Sequence, residues 1–188
     1  LFEKCQEVMK WMAAFEGKWF IAGGWAIDLH IGEETRQHED IEVAVFRDDQ
    51  SLLQEAMAGW EVQIVENEQM REWNQMERLE LPIHEIHAKR DVQELEILLN
   101  ERNGDQWTYR RDPDITFPIS HMHLHSEQGL PYLNPEIVLL YKAKHTKEKD
   151  EQDFEAVFPR LNERQKEWLK QGLIQCQPDH HWLEKLLR

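Results

Sequence analysis

Asp40 and Glu42 stand two residues apart in the run His38-Glu39-Asp40-Ile41-Glu42-Val43-Ala44-Val45-Phe46. On a strand, residues i and i+2 point to one face, so this spacing predicts two carboxylates side by side. Ile41, Val43 and Val45 then point the other way, into a core. Like charges this close repel unless a cation or a proton lies between them. Hard oxygen ligands of this kind suit Mg²⁺, which takes one or two carboxylates and fills its shell with substrate phosphates.

Gly23 and Gly24 precede the acids by some sixteen residues, where the apolar run Trp19-Phe20-Ile21-Ala22 passes into a helix-like run from about Trp25 to Ile31. Glycine lets the backbone bend tightly and approach a ligand. The free N–H groups of a helix starting near Trp25 would make an anion site at that turn. Phosphates held by backbone N–H groups beside a carboxylate-bound metal is the arrangement of nucleotide transfer. A Gly-Gly pair alone is usually a tight turn, and an acid-x-acid pair alone is usually a solvated strand face. Their order and spacing together are far more specific.

Thr35, Arg36 and His38, in the polar loop Glu33–Glu39, would hang over this site. Arg36 could meet a phosphate, or pair with Glu33 or Glu39. His38 could orient a ligand or hold the loop. Asp28 falls inside the predicted helix, where capping or local hydrogen bonding is its ordinary role. His121, His123 and His125 alternate as on one strand face and invite a zinc reading. Positions i to i+4 span about 13 Å along a strand, too far for one tetrahedral centre, so a polar sheet face is expected.

The elements around these residues follow from periodicity. Helical spacing covers Leu1 to Phe15, and Gly32 suits a helix C-terminus. Asp49–Ala58 reads as a helix closed by Gly59, and Trp60–Val65 as a strand. Asn67–Arg78 reads as a helix or an irregular excursion, with Met70, Trp73 and Met76 either in the core, the ordinary role, or on a substrate-facing wall. Strands are expected at Pro82–Ala88, around Leu95-Glu96-Ile97-Leu98-Leu99, and at Trp107–Arg111 before an Asp112-Pro113 turn. Asn134-Pro135-Glu136 opens a helix running to about Lys144. Helices are also expected from Lys149, with Asp150 and Asp153 bracing the helix pair, from Asn162 to Gly172, and over Asp179–Leu187. The expected division is a mixed-sheet domain over 1–128 and a helical domain over 129–188.

The chain has 188 residues, 40% of them hydrophobic, enough for one domain or two small ones sharing an interface. Its formal charge of −15 argues against a nucleic acid partner, for which a basic surface is needed. Solubility is the plain role of that charge, and it also favours cationic ligands if acids line a cleft. No apolar run reaches a membrane span, and the first ten residues do not read as a signal peptide, so a cytoplasmic location is expected. Cys5 and Cys176 lie near opposite ends and are expected as free thiols.

The stretch Ile21-Ala-Gly-Gly-Trp-Ala-Ile-Asp-Leu29 with Thr35-Arg-Gln-His-Glu-Asp-Ile-Glu-Val43 resembles the nucleotidyltransferase superfamily related to DNA polymerase β. Its signature is a Gly-Gly or Gly-Ser turn followed by Asp-x-Asp/Glu on a strand. The longer string resembles the branch containing aminoglycoside and lincosamide nucleotidyltransferases. The resemblance extends through Arg110-Arg111-Asp112-Pro113, Leu130–Leu133, Pro135–Lys144 and Lys149-Asp150, and so covers nearly the whole chain. It implies an α+β fold, a sheet palm with flanking helices and a C-terminal helical bundle.

The resemblance also implies Mg²⁺-dependent transfer of a nucleoside monophosphate from a nucleoside triphosphate, ATP in the first instance, to a hydroxyl of a small molecule such as an antibiotic. Asp40 and Glu42 would be metal ligands. Glu96, in Glu-Ile-Leu-Leu, resembles the third carboxylate, with Glu94 on the same face as the alternative. Gly23, Gly24, Trp25, Arg36, His38 and Lys142 are the candidates for the nucleotide, with Lys144 beside Lys142. Two other functions stay open on the sequence: a nucleotide-binding module without turnover, and a toxin-type enzyme acting on protein or transfer RNA.

Overall fold

A computed structural model describes all residues, 1–188. Ten strands form one mixed sheet, and the helices lie around it. In chain order the elements begin with α1 (Glu3–Trp11), β1 (Trp19–Ala22), α2 (Gly23–Ile31), β2 (Glu42–Phe46) and α3 (Gln50–Ala56). Next come β3 (Glu61–Glu66), β4 (Gln69–Glu72), β5 (Glu85–Arg90), β6 (Gln93–Asn103), β7 (Gln106–Tyr109) and β8 (Asp112–Pro118). The chain closes with β9 (His123–His125), β10 (Pro131–Leu133), α4 (Pro135–Lys142), α5 (Glu148–Val157), α6 (Glu163–Cys176) and α7 (Leu183–Leu186).

The main strand order is β4-β3-β5-β6-β2-β1-β10-β9, and β7 and β8 extend the far end of β6. Pairing is antiparallel except between β1 and β10 and between β2 and β6. β2 is therefore central, and Val43, Ala44, Val45 and Phe46 are buried on both faces. α2 is apolar nearly all round, with Trp25, Ala26, Ile27 and Leu29 buried, because it is packed between the sheet and the C-terminal helices. Gly32 ends it in the left-handed region, φ 94°, a conformation glycine adopts without a side-chain penalty.

The structure departs from expectation in several places. Residues 67–72 form no helix: Asn67 and Glu68 both take positive φ and turn β3 into β4 as a tight hairpin. Trp73 is buried, but Met70 and Met76 face solvent. Asp112-Pro113 starts β8 instead of making a turn, and Pro113 is tolerated there because β8 pairs only with β7. α6 runs through Gly172 to Cys176, since that buried glycine lets Leu140 of α4 approach closely. His121 lies in a 3-10 turn before β9, so only His123 and His125 sit on the strand. Asn134 precedes α4 as expected, yet its amide donates to the His121 carbonyl and does not cap.

The sheet continues past residue 128, because β10 adds beside β1. One apolar cluster of 52 residues joins sheet and helices. No helix is long and apolar enough to cross a membrane. Ile97, fully buried in β6, lies at the centre of that cluster. Ile97→Ala is expected to lower the unfolding free energy by about 2–5 kcal/mol, read from urea denaturation.

Candidate active site

Glu42 opens β2, and its neighbour across the parallel ladder is Glu96 of β6. The Ile41 carbonyl accepts the Glu96 N–H at 3.0 Å and fixes that register. On the other side of β6, His87 of β5 faces Glu96, with Nδ1 3.8 Å from its carboxylate. Residues level across a sheet share a face, so Glu42, Glu96 and His87 form one polar row. Glu94, the alternative third acid, faces Lys89 and pairs with it at 3.7 Å. Asp40 sits just before β2 rather than on it, exposed and without a hydrogen bond or ion pair.

Burial raises the Glu42 carboxyl, Lys142 and Lys149 oppose the rise, and Asp40 adds to it. Burial, then the charges of Glu42 and Asp40, push Glu96 up to about 7. These are the signs of buried carboxylates whose nearby cations do not make up for the lost hydration. No three His, Cys, Asp or Glu side chains close a metal site by themselves. Two crowded, under-neutralised carboxylates nevertheless fit an ion such as Mg²⁺ that takes its remaining ligands from substrate phosphates.

The Gly-Gly pair has a separate steric reason at each position. Gly23 takes φ 62°, and a Cβ there would collide with the Glu42 carboxylate. A Cβ on Gly24 would collide with Arg36 Nη2 and crowd the His38 ring. One glycine clears the acid; the other clears the loop that follows.

A cleft of about 440 Å³ opens over Gly23, Glu42 and Glu96. Its opposite wall carries Arg110 and Arg111 from the β7–β8 turn and Lys142, Lys147 and Lys149 from the α4–α5 region. Arg110 is half-buried, and burial pushes its guanidinium below the usual range. Arg111 bonds only Tyr109 and the Tyr141 carbonyl. Neither arginine has a carboxylate partner, nor do Lys147 and Lys149. Glu96 also lines a second cavity of about 360 Å³, with Asp40, Glu39, Glu61 and Glu94.

Three of the expected nucleotide contacts are engaged elsewhere. The Trp25 ring is buried against His38, 4.4 Å between centroids. His38 Nε2 lies 2.6 Å from the buried Asp28 carboxylate. Arg36 forks onto Asp153, at 2.7 and 2.9 Å, instead of pairing with Glu33 or Glu39. Lys142 reaches the cleft wall but is held by Asp150 and Asp153 at 2.9 and 3.0 Å. His87, Lys147 and the free state of Arg110 were not foreseeable from spacing. Only the adjacent Arg110-Arg111 pair, on a predicted strand end in an acidic chain, offered a signal.

This palm and cleft define a nucleotidyltransferase fold. The crystal structure of the lincosamide antibiotic adenylyltransferase LnuA, lincomycin-bound, aligns with TM-score 0.57 at 17% identity, covering 84% of this chain and 96% of that one. The solution structure of the antibiotic-resistance factor ANT(2'')-Ia aligns at 0.59 and 18%, covering 89% of each chain. Its crystal structure in complex with adenylyl-2''-tobramycin aligns at 0.61 and 15%, covering 92% and 98%. At these identities the likeness is one of fold. No curated protein matches the sequence. The sequence profile of the aminoglycoside-2''-adenylyltransferase family matches residues 4–126, and the chain belongs to that family.

Two outcomes follow from the site. Gly23→Ala, which needs a left-handed alanine against Glu42, should cost about 1–3 kcal/mol in denaturant unfolding. The folded Glu96 binds its proton more tightly than the unfolded chain does, so its ionisation destabilises the fold. Without divalent ions, the stability that Glu96 contributes should therefore fall as pH rises from 4.5 to about 7, read as the difference in melting temperature between wild type and Glu96→Gln across that range.

Proposed function

We propose that this chain transfers AMP from ATP to a hydroxyl of a small cationic acceptor. One observation carries the reading: a single cleft sets the Glu42–Glu96 pair against Arg110, Arg111, Lys147 and Lys149. Those four cations lack carboxylate partners in a chain with 37 acids. Half-buried Arg110 in particular calls for an anion, because an unpaired charge loses hydration. A triphosphate supplies that anion and sits beside the acids. Membership of an adenylyltransferase family supports ATP as its source.

Asp40 and Glu42, with Glu96 beside them, would hold Mg²⁺, which supplies neutralisation of charge on the phosphate oxygens. The N–H groups after Gly23 and the basic wall orient the triphosphate. The acceptor oxygen forms a bond to the α-phosphorus as the bond to the departing pyrophosphate breaks. Glu96, level with Glu42 on the adjacent strand, takes the proton of the attacking hydroxyl. Glu96 borders both cavities, which suits a base between donor and acceptor.

The second cavity supports a cationic acceptor. Asp40, Glu39, Glu61, Glu94 and Glu96 outnumber Lys4 and Lys89 there, and Lys89 is already paired with Glu94. The ANT(2'')-Ia structure contains adenylyl-2''-tobramycin and the LnuA structure lincomycin, which supports the choice of antibiotics as the first acceptors to try.

The test is pyrophosphate release with ATP, GTP, CTP or UTP and Mg²⁺, with and without aminoglycoside and lincosamide panels. Release with ATP that requires one acceptor, and a mass gain of one AMP on it, is expected. Glu96→Gln should lower kcat about 10²–10⁴-fold. Undiminished turnover in Glu96→Gln would remove the base role, and failure to bind any triphosphate would sink the assignment.

A further inference from the structure

The loop at residues 33–41 carries Asp40, and Thr35, Arg36 and His38 tie it down on two sides. Asp28 of α2 accepts the Thr35 N–H at 3.1 Å and also the Thr35 hydroxyl. It lies 2.6 Å from His38, and both side chains are buried, at 0% and 3% exposure. Arg36 passes over Gly24 of α2 and forks onto Asp153 of α5, a carboxylate with no exposed surface. The other contact of Asp153 is Lys142, the cleft lysine on α4. Lys142 is shared with Asp150, which also accepts the Lys147 N–H at 2.9 Å at the start of α5.

We propose that Asp153 is a positioning residue that ties the loop carrying Asp40 to the basic wall of the nucleotide cleft. The inference rests on the nucleotide reading above. A buried ion pair rarely out-stabilises an apolar pair of the same volume, whereas it fixes geometry through its directed bonds. The Arg36 fork has two parallel bonds, so it sets the direction of the loop as well as its distance. Asp40 makes no side-chain hydrogen bond or ion pair of its own; Ile41, bonded to Glu96 through its carbonyl, fixes the chain after it, and this clamp fixes the loop before it. The same carboxylate holds Lys142 near Glu42, whose charge that lysine opposes. Arg36 and His38 thus serve the site from behind it, and Gly24 is the gap through which they lie against α2.

Arg36→Lys tests this, since it keeps the charge and gives up the fork. Asp153→Asn, which leaves two cations facing an amide, is the harsher second variant. Binding of a non-hydrolysable ATP analogue is measured with Mg²⁺ and again with EDTA, alongside hydrogen exchange. In Arg36→Lys the Mg²⁺-dependent affinity should fall about 10–100-fold, the range for a partner behind a metal ligand. Affinity in EDTA, which depends on Arg110 and Arg111, should not change. Exchange should quicken at 37–41 and stay as in the wild type in β2 and β6. An unchanged Mg²⁺-dependent affinity would overturn the proposal. So would equal losses with and without Mg²⁺ accompanied by faster exchange throughout, the pattern of a merely structural role. If the wild type binds the analogue under neither condition, the nucleotide reading is what fails. The clamp is then judged on exchange alone, supported by quickening confined to 37–41 and overturned by none.

Discussion

Two like charges are held level on adjacent strands at the middle of the sheet, and much of the structure answers to that constraint. Parallel pairing of β2 and β6 puts Glu42 beside Glu96 with no cation between them. Burial raises both carboxyls, and the charge of Glu42 adds to the rise at Glu96. Such a pair is tolerated only where the surrounding fold is rigid enough to prevent its escape, and here both strands are buried among Val43, Val45, Ile97 and Leu99. The backbone of α2 begins immediately above, and it does so through a glycine because the Glu42 carboxylate occupies the space of a side chain.

The charge distribution follows from the same pair. The chain is acidic overall, yet two arginines without a carboxylate partner, Arg110 and Arg111, line the cleft that holds the two acids. The helices of the C-terminal third contribute Lys142, Lys147 and Lys149 to it, so the bundle is part of the cleft as well as a cover for the sheet.

What could be read in the sequence was local and periodic. Trp19–Ala22, the helix capped by Gly32, and the Leu95-Ile97-Leu99 face each announce themselves within a few residues, because burial on one side imposes the period. The capping box of Asn162 and Gln165 is equally local and forms as its residues require. What escaped depends on register and distance. His87 joins Glu96 only because β5 pairs with β6 in one particular alignment. Arg36 finds its acid 117 residues away, on a helix that packs beside α2 only in the folded chain. The 67–68 turn was hidden because Asn67 and Glu68 adopt positive φ without a glycine to mark it.

The two cavities meet at Glu96 but are furnished by different parts of the chain. The basic wall comes from the β7–β8 turn and the α4–α5 region. The acidic cavity takes its lining from β3, the β5–β6 hairpin and the 33–41 loop. Val92, at the tip of that hairpin, is 94% exposed and has little packing to lose. Replacement there changes the acidic cavity and leaves the basic wall untouched. The architecture is divided in two: one shared carboxylate, and two walls built from separate stretches of the chain.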